Sequence, residues 1–320
     1  MDNTLKSSLE VIMTQYLVRN YDYLWLRTML EAAAATKTTG STLIVGSSHA
    51  LYGIQESCWN NAFNCSMNSQ DLYYDFLCVR RVLNAAEPRR FVRCILILGY
   101  YVAYQDLSLS KRMREKHLIN VHYPIFGDAH HWDTVPDKDR WDWLNINLPA
   151  ESSLTPEFIK SICEQSAMRI LREYGTYFSS IHSRGAYFDP NGRTWIQISP
   201  EERFIEGKFQ AEKHNKHLQY KDSYMENKQI LQNFIRFLYE HEVQPIVVVP
   251  PFTPEYNRFI LPDLRAGLEE LLESVPEDIE YVDFNQIEGI FEPADFMDAH
   301  HLSDTGAEKV SRILVDTFGK

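Results

Sequence analysis

Three short, unbroken apolar runs limit the fold of this chain more than any other feature. They are "TLIVG" from Thr42, "CILILG" from Cys94 and "PIVVVP" from Pro245. Aliphatic runs without polar alternation suit strands covered on both faces, which is the setting of a parallel sheet. Helical periodicity separates them, in "SQDLYYDFLCVRRVLNAAEP" and "NKQILQNFIRFLYEHE", and returns after the last in "LPDLRAGLEELLESV". A shorter strand, "IEYVDFN", follows, and then a last helix in "LSDTGAEKVSRILVDTF" with Ser303 or Asp304 as its N-cap. Strand, helix, strand in this order predicts an α/β protein, a three-layer α/β/α sandwich around a parallel central sheet.

The ends and the middle differ from this pattern. Leu9, Ile12, Met13, Tyr16 and Leu17 fall close to helical spacing, and "TTGS" stops the helix they begin. The expectation is an N-terminal helical segment over 1–40 and one α/β domain over 41–320, interrupted by an aromatic-rich insertion at about 107–215. Within that insertion Asp128, His130, His131 and Asp133 have the imidazole–carboxylate mix of a metal site. They lack a third, distant ligand at a recognisable spacing, so the reading is a wet, Trp-rich loop, and no metal or cofactor is expected. Trp132, Trp141, Trp143 and Trp195 either stack on sugar faces or pack a small core of the insertion's own.

Composition narrows the partners. A formal charge of -12 over 320 residues disfavours phosphate-backbone binding, so no nucleic acid is expected. The five cysteines form no C-x-x-C or finger spacing and read as reduced thiols, which points to a cytoplasmic location. The N-terminus lacks a basic region followed by an apolar stretch, and no apolar run approaches the roughly 20 residues of a spanning helix. Neither a secretory signal nor a transmembrane segment is expected. Oligomeric state is not legible.

Loops at the carboxyl ends of parallel strands are where such sheets carry their sites. "GSSH", Gly46 to His49, lies at one of them. Taken alone it reads equally well as a polar turn out of a strand. A serine needs an imidazole as general base, and that imidazole needs an acceptor to fix its tautomer. "DFMDAHHLSDTGA" supplies both, with Asp298 and His301 three residues apart just before the last helix. Ser47, His300 and Asp295 stand as alternates for nucleophile, base and acid.

A serine motif after the first strand, with D-x-x-H before the last helix, resembles the GDSL/SGNH hydrolase superfamily. The likeness covers roughly residues 40–106 and 225–318, and its form is closest to divergent bacterial proteins that handle acyl groups on envelope glycans. It implies a flavodoxin-like parallel sandwich and a serine esterase or O-acyltransferase. The substrate class would be a glycan ester or another small-molecule ester, and the source bacterial. By the resemblance Ser48 is the nucleophile, His301 the base and Asp298 the acid. The oxyanion positions fall at Ser69, beside Asn68, and at Gly99 and Tyr101. Ser69 stands where the family has Gly, and Tyr101 where it has Asn, which favours as the rival reading a catalytically silent binding protein of the same fold.

Overall fold

The computed structural model describes residues 21–110, 117–118, 121–127, 130–131 and 194–319. They fall into two compact units. Residues 29–107 and 194–319 make the sheet-bearing unit, and the described residues of 21–28 and 108–131 belong to the other.

Five strands form one all-parallel sheet in the order β2-β1-β3-β4-β5, where β1 is Ser41–Gly46, β2 Ala62–Asn64, β3 Phe91–Ile97, β4 Gln244–Val249 and β5 Glu280–Asp283. Every residue of β1 is buried, as an unbroken apolar run in a doubly covered strand requires. The helices are α1 (Tyr21–Ala35), α2 (Ser48–Gly53), α3 (Leu72–Ala85), α4 (Pro200–Asn215), α5 (Lys221–Glu240), α6 (Pro254–Asn257), α7 (Pro262–Glu273) and α8 (Asp304–Phe318). The steps β2 to β3 (past β1), β3 to β4 and β4 to β5 run in one direction across the sheet. Right-handed crossovers therefore put α3, α5 and α7 on one face. The step from β1 to β2 runs the other way, so α2 covers the opposite face, where α8 packs against it. The result is the expected three-layer α/β/α sandwich.

Local chemistry fixes the helix starts. Asp71 caps α3 by accepting from Tyr74 N (3.1 Å), and its second oxygen accepts from Leu107 N (2.7 Å). Ser303 caps α8 by accepting from Gly306 N, so Asp304, the other candidate cap, is instead the first helical residue. Phe76 of α3 stacks on Phe234 of α5 with ring centroids 5.0 Å apart, which seats the two helices on each other.

Two elements depart from the sequence reading. β2 has only three residues, too few to register as a periodic strand, yet it pairs with Thr42 to Ile44 of β1. Helix α4 lies inside the stretch read as an aromatic-rich insertion, but it belongs to the sheet-bearing unit. Its start carries a full capping box, Ser199 with Glu202, behind Pro200. Its apolar stripe is weak, with Ile205 and Phe209 both exposed.

Trp195 is fully buried on a single 3-10 turn whose backbone N–H donates to Phe296 O (3.2 Å). It packs a core and is not displayed for sugar stacking. Trp132, Trp141, Trp143, Asp128 and Asp133 lie outside the described residues, as do 1–20 of the N-terminal segment. His130 and His131 stack on each other with centroids 4.0 Å apart. Cys58, Cys65, Cys78 and Cys94 are free thiols. Among the described residues no helix is long and apolar enough to cross a membrane.

Candidate active site

The site begins where β1 ends. Gly46 has φ +144°, in the range that L side chains rarely adopt, and a Cβ there would lie 2.6 Å from Ile97 O on the neighbouring β3. Glycine lets the chain leave the strand against its neighbour and turn at once into α2. Ser47 is the N-cap of that helix and Ser48 its first residue. Asn64, buried at the end of β2, donates from Nδ2 to Ala50 O (2.9 Å) and ties the short helix to the sheet. Asp75 of α3 is buried beside the strand end. Its carboxyl accepts from Gln70 Nε2 (2.7 Å), while burial pushes it up to about 8.

The other half is a loop pinned at both ends. Met297 N donates to His301 O (2.9 Å) and Ser303 N donates to Asp295 O (2.8 Å). Inside it the Asp298 carboxylate organises its own neighbours. Oδ1 accepts from the backbone N–H groups of His300 (2.9 Å) and His301 (2.8 Å), and Oδ2 accepts from His301 Nδ1 (2.8 Å). Burial alone would raise this carboxyl. The charge of His301 and His300, together with the hydrogen bonds from the His301 ring and the His300 backbone, holds it well below the usual carboxylate range. With Nδ1 spent on Asp298, His301 presents Nε2, and this atom lies 2.8 Å from Ser48 Oγ. Three side chains separated by up to 253 positions thus form one hydrogen-bonded run, serine to imidazole to carboxylate.

The alternates sit elsewhere in the network. Ser47 Oγ lies 3.3 Å from His49 Nδ1, and the Tyr101 ring lies 6.1 Å from the His49 ring, centroid to centroid. His300 Nδ1 lies 3.0 Å from His49 Nε2. Asp295 is fully buried and ion-paired with Lys309 (2.6 Å), which uses the carboxylate away from any histidine. Of the positions assigned to an oxyanion hole, Ser69 has a left-handed backbone (φ +59°), the conformation for which a glycine would be expected. Asn68 donates from Nδ2 to the Tyr52 hydroxyl (2.9 Å). Gly99 caps the 3-10 turn Tyr100–Tyr104, and the Tyr101 ring lies over it. That ring also stacks on His214, centroids 4.0 Å apart, and burial pushes its hydroxyl up to about 12.

Two residues of this cluster, His214 and Tyr256, escape a reading of the sequence, and a third, His49, reads there only as a structural partner of the serine turn. His49 stacks on His301 with centroids 4.9 Å apart and an interplanar angle of 25°. His214 of α4 lies edge-on to His300, and its Nδ1 is 2.6 Å from the Tyr256 hydroxyl. Only His49 had a signal, its place beside Ser48. His214 and Tyr256 are brought in by helix packing across about forty residues, which no local spacing announces. Burial pushes His300 down to about 3 and holds His49 and His214 well below the ordinary histidine value, so all three rings are neutral near pH 7.

No protein-family model matches the chain, and neither does any curated protein. One solved structure, from Streptococcus pneumonia and described provisionally as a platelet activating factor, aligns over 98% of this chain and 94% of its own at 11% identity. Its TM-score is 0.37, a likeness too slight to bear on activity.

Proposed function

We propose that this protein is a serine-dependent esterase or O-acyltransferase of the GDSL/SGNH kind, acting on an acylated carbohydrate such as an envelope glycan or its precursor. The observation that carries the reading is the run Ser48 Oγ, His301 Nε2, Asp298 Oδ2, with both links at 2.8 Å. Geometry of this kind lets the imidazole take the serine proton as the hydroxyl attacks an acyl carbonyl. Asp298 then stabilises the imidazolium, and His301 returns the proton to the departing alcohol. The acyl group stays on Ser48 until water or an acceptor hydroxyl removes it. Backbone N–H groups at Ser48 and Ser69 are the proposed oxyanion donors. Tyr101, stacked on His214, is assigned to walling the site.

A fluorophosphonate probe with peptide mapping tests this. The Ser48 peptide of the wild type is expected to label, and Ser48→Ala to lose both the label and p-nitrophenyl acetate hydrolysis by at least ~10³-fold. Folded wild-type protein that neither labels at Ser48 nor hydrolyses the ester would sink the proposal and favour a silent binding protein.

A further inference from the structure

Acyl transfer uses one of the clustered imidazoles and leaves two beside it without a task. One ring nitrogen from each of His49, His300 and His301 lies within 4.8 Å of the others, and all three residues are buried. His49 Nε2 and His300 Nδ1 face each other at 3.0 Å. Two neutral imidazole nitrogens in that position share one proton. The same spacing is close to the ~3.3 Å between two nitrogens on a tetrahedral ion with bonds of ~2.0–2.1 Å.

The far side of two of these rings is already fixed. His49 Nδ1 faces Ser47 Oγ at 3.3 Å, and His301 Nδ1 donates to Asp298 Oδ2 at 2.8 Å. Partners of this type set the tautomer and orientation of metal-ligating histidines, and a carboxylate behind the ring raises its basicity. Phe252 against His49 and His214 against His300 wall the cluster in.

We propose that His49, His300 and His301 form an inhibitory site for a divalent cation of the zinc class. An all-imidazole set suits Zn²⁺, Cu²⁺ or Ni²⁺, whereas Mg²⁺ and Ca²⁺ seek oxygen ligands. The inhibition follows from one lone pair. His301 Nε2 accepts the Ser48 proton with the electron pair it would give to the ion, so it serves one or the other. Cation binding stands on the geometry alone, while its inhibitory consequence rests on the acyl-transfer reading.

The test uses chelator-stripped full-length protein. Zinc content after equilibrium dialysis against buffered Zn²⁺ is measured by mass spectrometry, and Ser48 labelling by fluorophosphonate is followed across the same titration. One zinc per chain is expected, bound at least ~30-fold more weakly by His49→Gln and by His300→Gln, each checked for folding by circular dichroism. His241→Ala, at the far end of α5, should bind like the wild type. Labelling should fall with the same midpoint as binding and return on adding chelator. Because those variants could lose structure, Co²⁺ is added to the wild type as an independent signature. Intense visible absorption from tetrahedral nitrogen ligation supports the site. Its absence, or zinc binding unchanged by both Gln variants, overturns it. Zinc bound at the site with labelling unaffected overturns the inhibition alone. A wild type that binds zinc but never labels refutes the acyl-transfer reading and leaves the cation site standing.

Discussion

Gly46 shows how much of the candidate site rests on one backbone angle. Its φ of +144° and the 2.6 Å approach of a Cβ to Ile97 O leave no room for a side chain, because the obstacle is backbone in the centre of the sheet. Gly46→Ala is expected to destabilise the fold by about 2–4 kcal/mol, from strain and overpacking together. It should also lower Ser48 labelling, since any relief moves the turn that carries Ser48. Chemical denaturation beside probe labelling measures both, and an alanine variant with wild-type midpoint and labelling would refute the argument. At this scale the sequence was legible where chemistry depends on short spacing. Asp298 and His301 sit three apart, and Asp298 uses that spacing to bind both the ring and the backbone N–H of His301. His49, His214 and His300 were not legible as a cluster, because what joins them is packing between segments remote in sequence.

Elements were read well wherever burial and period agreed. β1, β3 from Cys94 onward and β4 from Pro245 onward are buried, so their apolar runs are unbroken, and α5 and α8 have a clear buried stripe. α4 failed that reading because it is anchored by only a few buried positions, Gly207, Ala211 and His214 among them. Gly207 allows it to lie against the backbone of Glu255 at the start of α6. Helix α3 offers the sharpest test of how an element start couples to a distant segment. Asp71 caps the helix and also satisfies the N–H of Leu107, itself buried. Asp71→Ala removes a cap of about 1 kcal/mol and leaves a buried donor unpaired, worth about 1–3 kcal/mol more. The expected loss is about 2–4 kcal/mol by urea denaturation, and Asp71→Asn should recover part of it by restoring one acceptor. A loss under about 1 kcal/mol would mean that the Leu107 N–H finds another partner.

For the whole sheet-bearing unit, the buried titratable groups set how stability responds to pH. An unfolded histidine titrates near 6.5. Burial, joined by the charge of neighbouring histidines, keeps His49 and His214 well below that value and His300 at about 3, and burial lowers His217 as well. Between those lowered values and pH ~6.5 the unfolded chain binds protons that the native chain refuses, so stability rises with pH. Asp75 acts in the opposite sense. Burial outweighs its hydrogen bond from Gln70 and raises it to about 8, so from pH ~4 to ~8 the native chain keeps a proton that the unfolded chain has lost. Each such group contributes a slope of at most about 1.4 kcal/mol per pH unit. Below ~6.5 several histidines oppose one carboxyl and stability climbs. Above ~6.5 the carboxyl acts alone and stability declines toward pH 8. Urea midpoints at half-unit steps should therefore peak near pH 6.5. Asp75→Asn should flatten the decline above the peak, and His300→Gln should make the rise below it shallower by up to one proton's slope. A wild type whose midpoint keeps rising through pH 8, with Asp75→Asn parallel to it, would show that Asp75 is ionised in the folded protein.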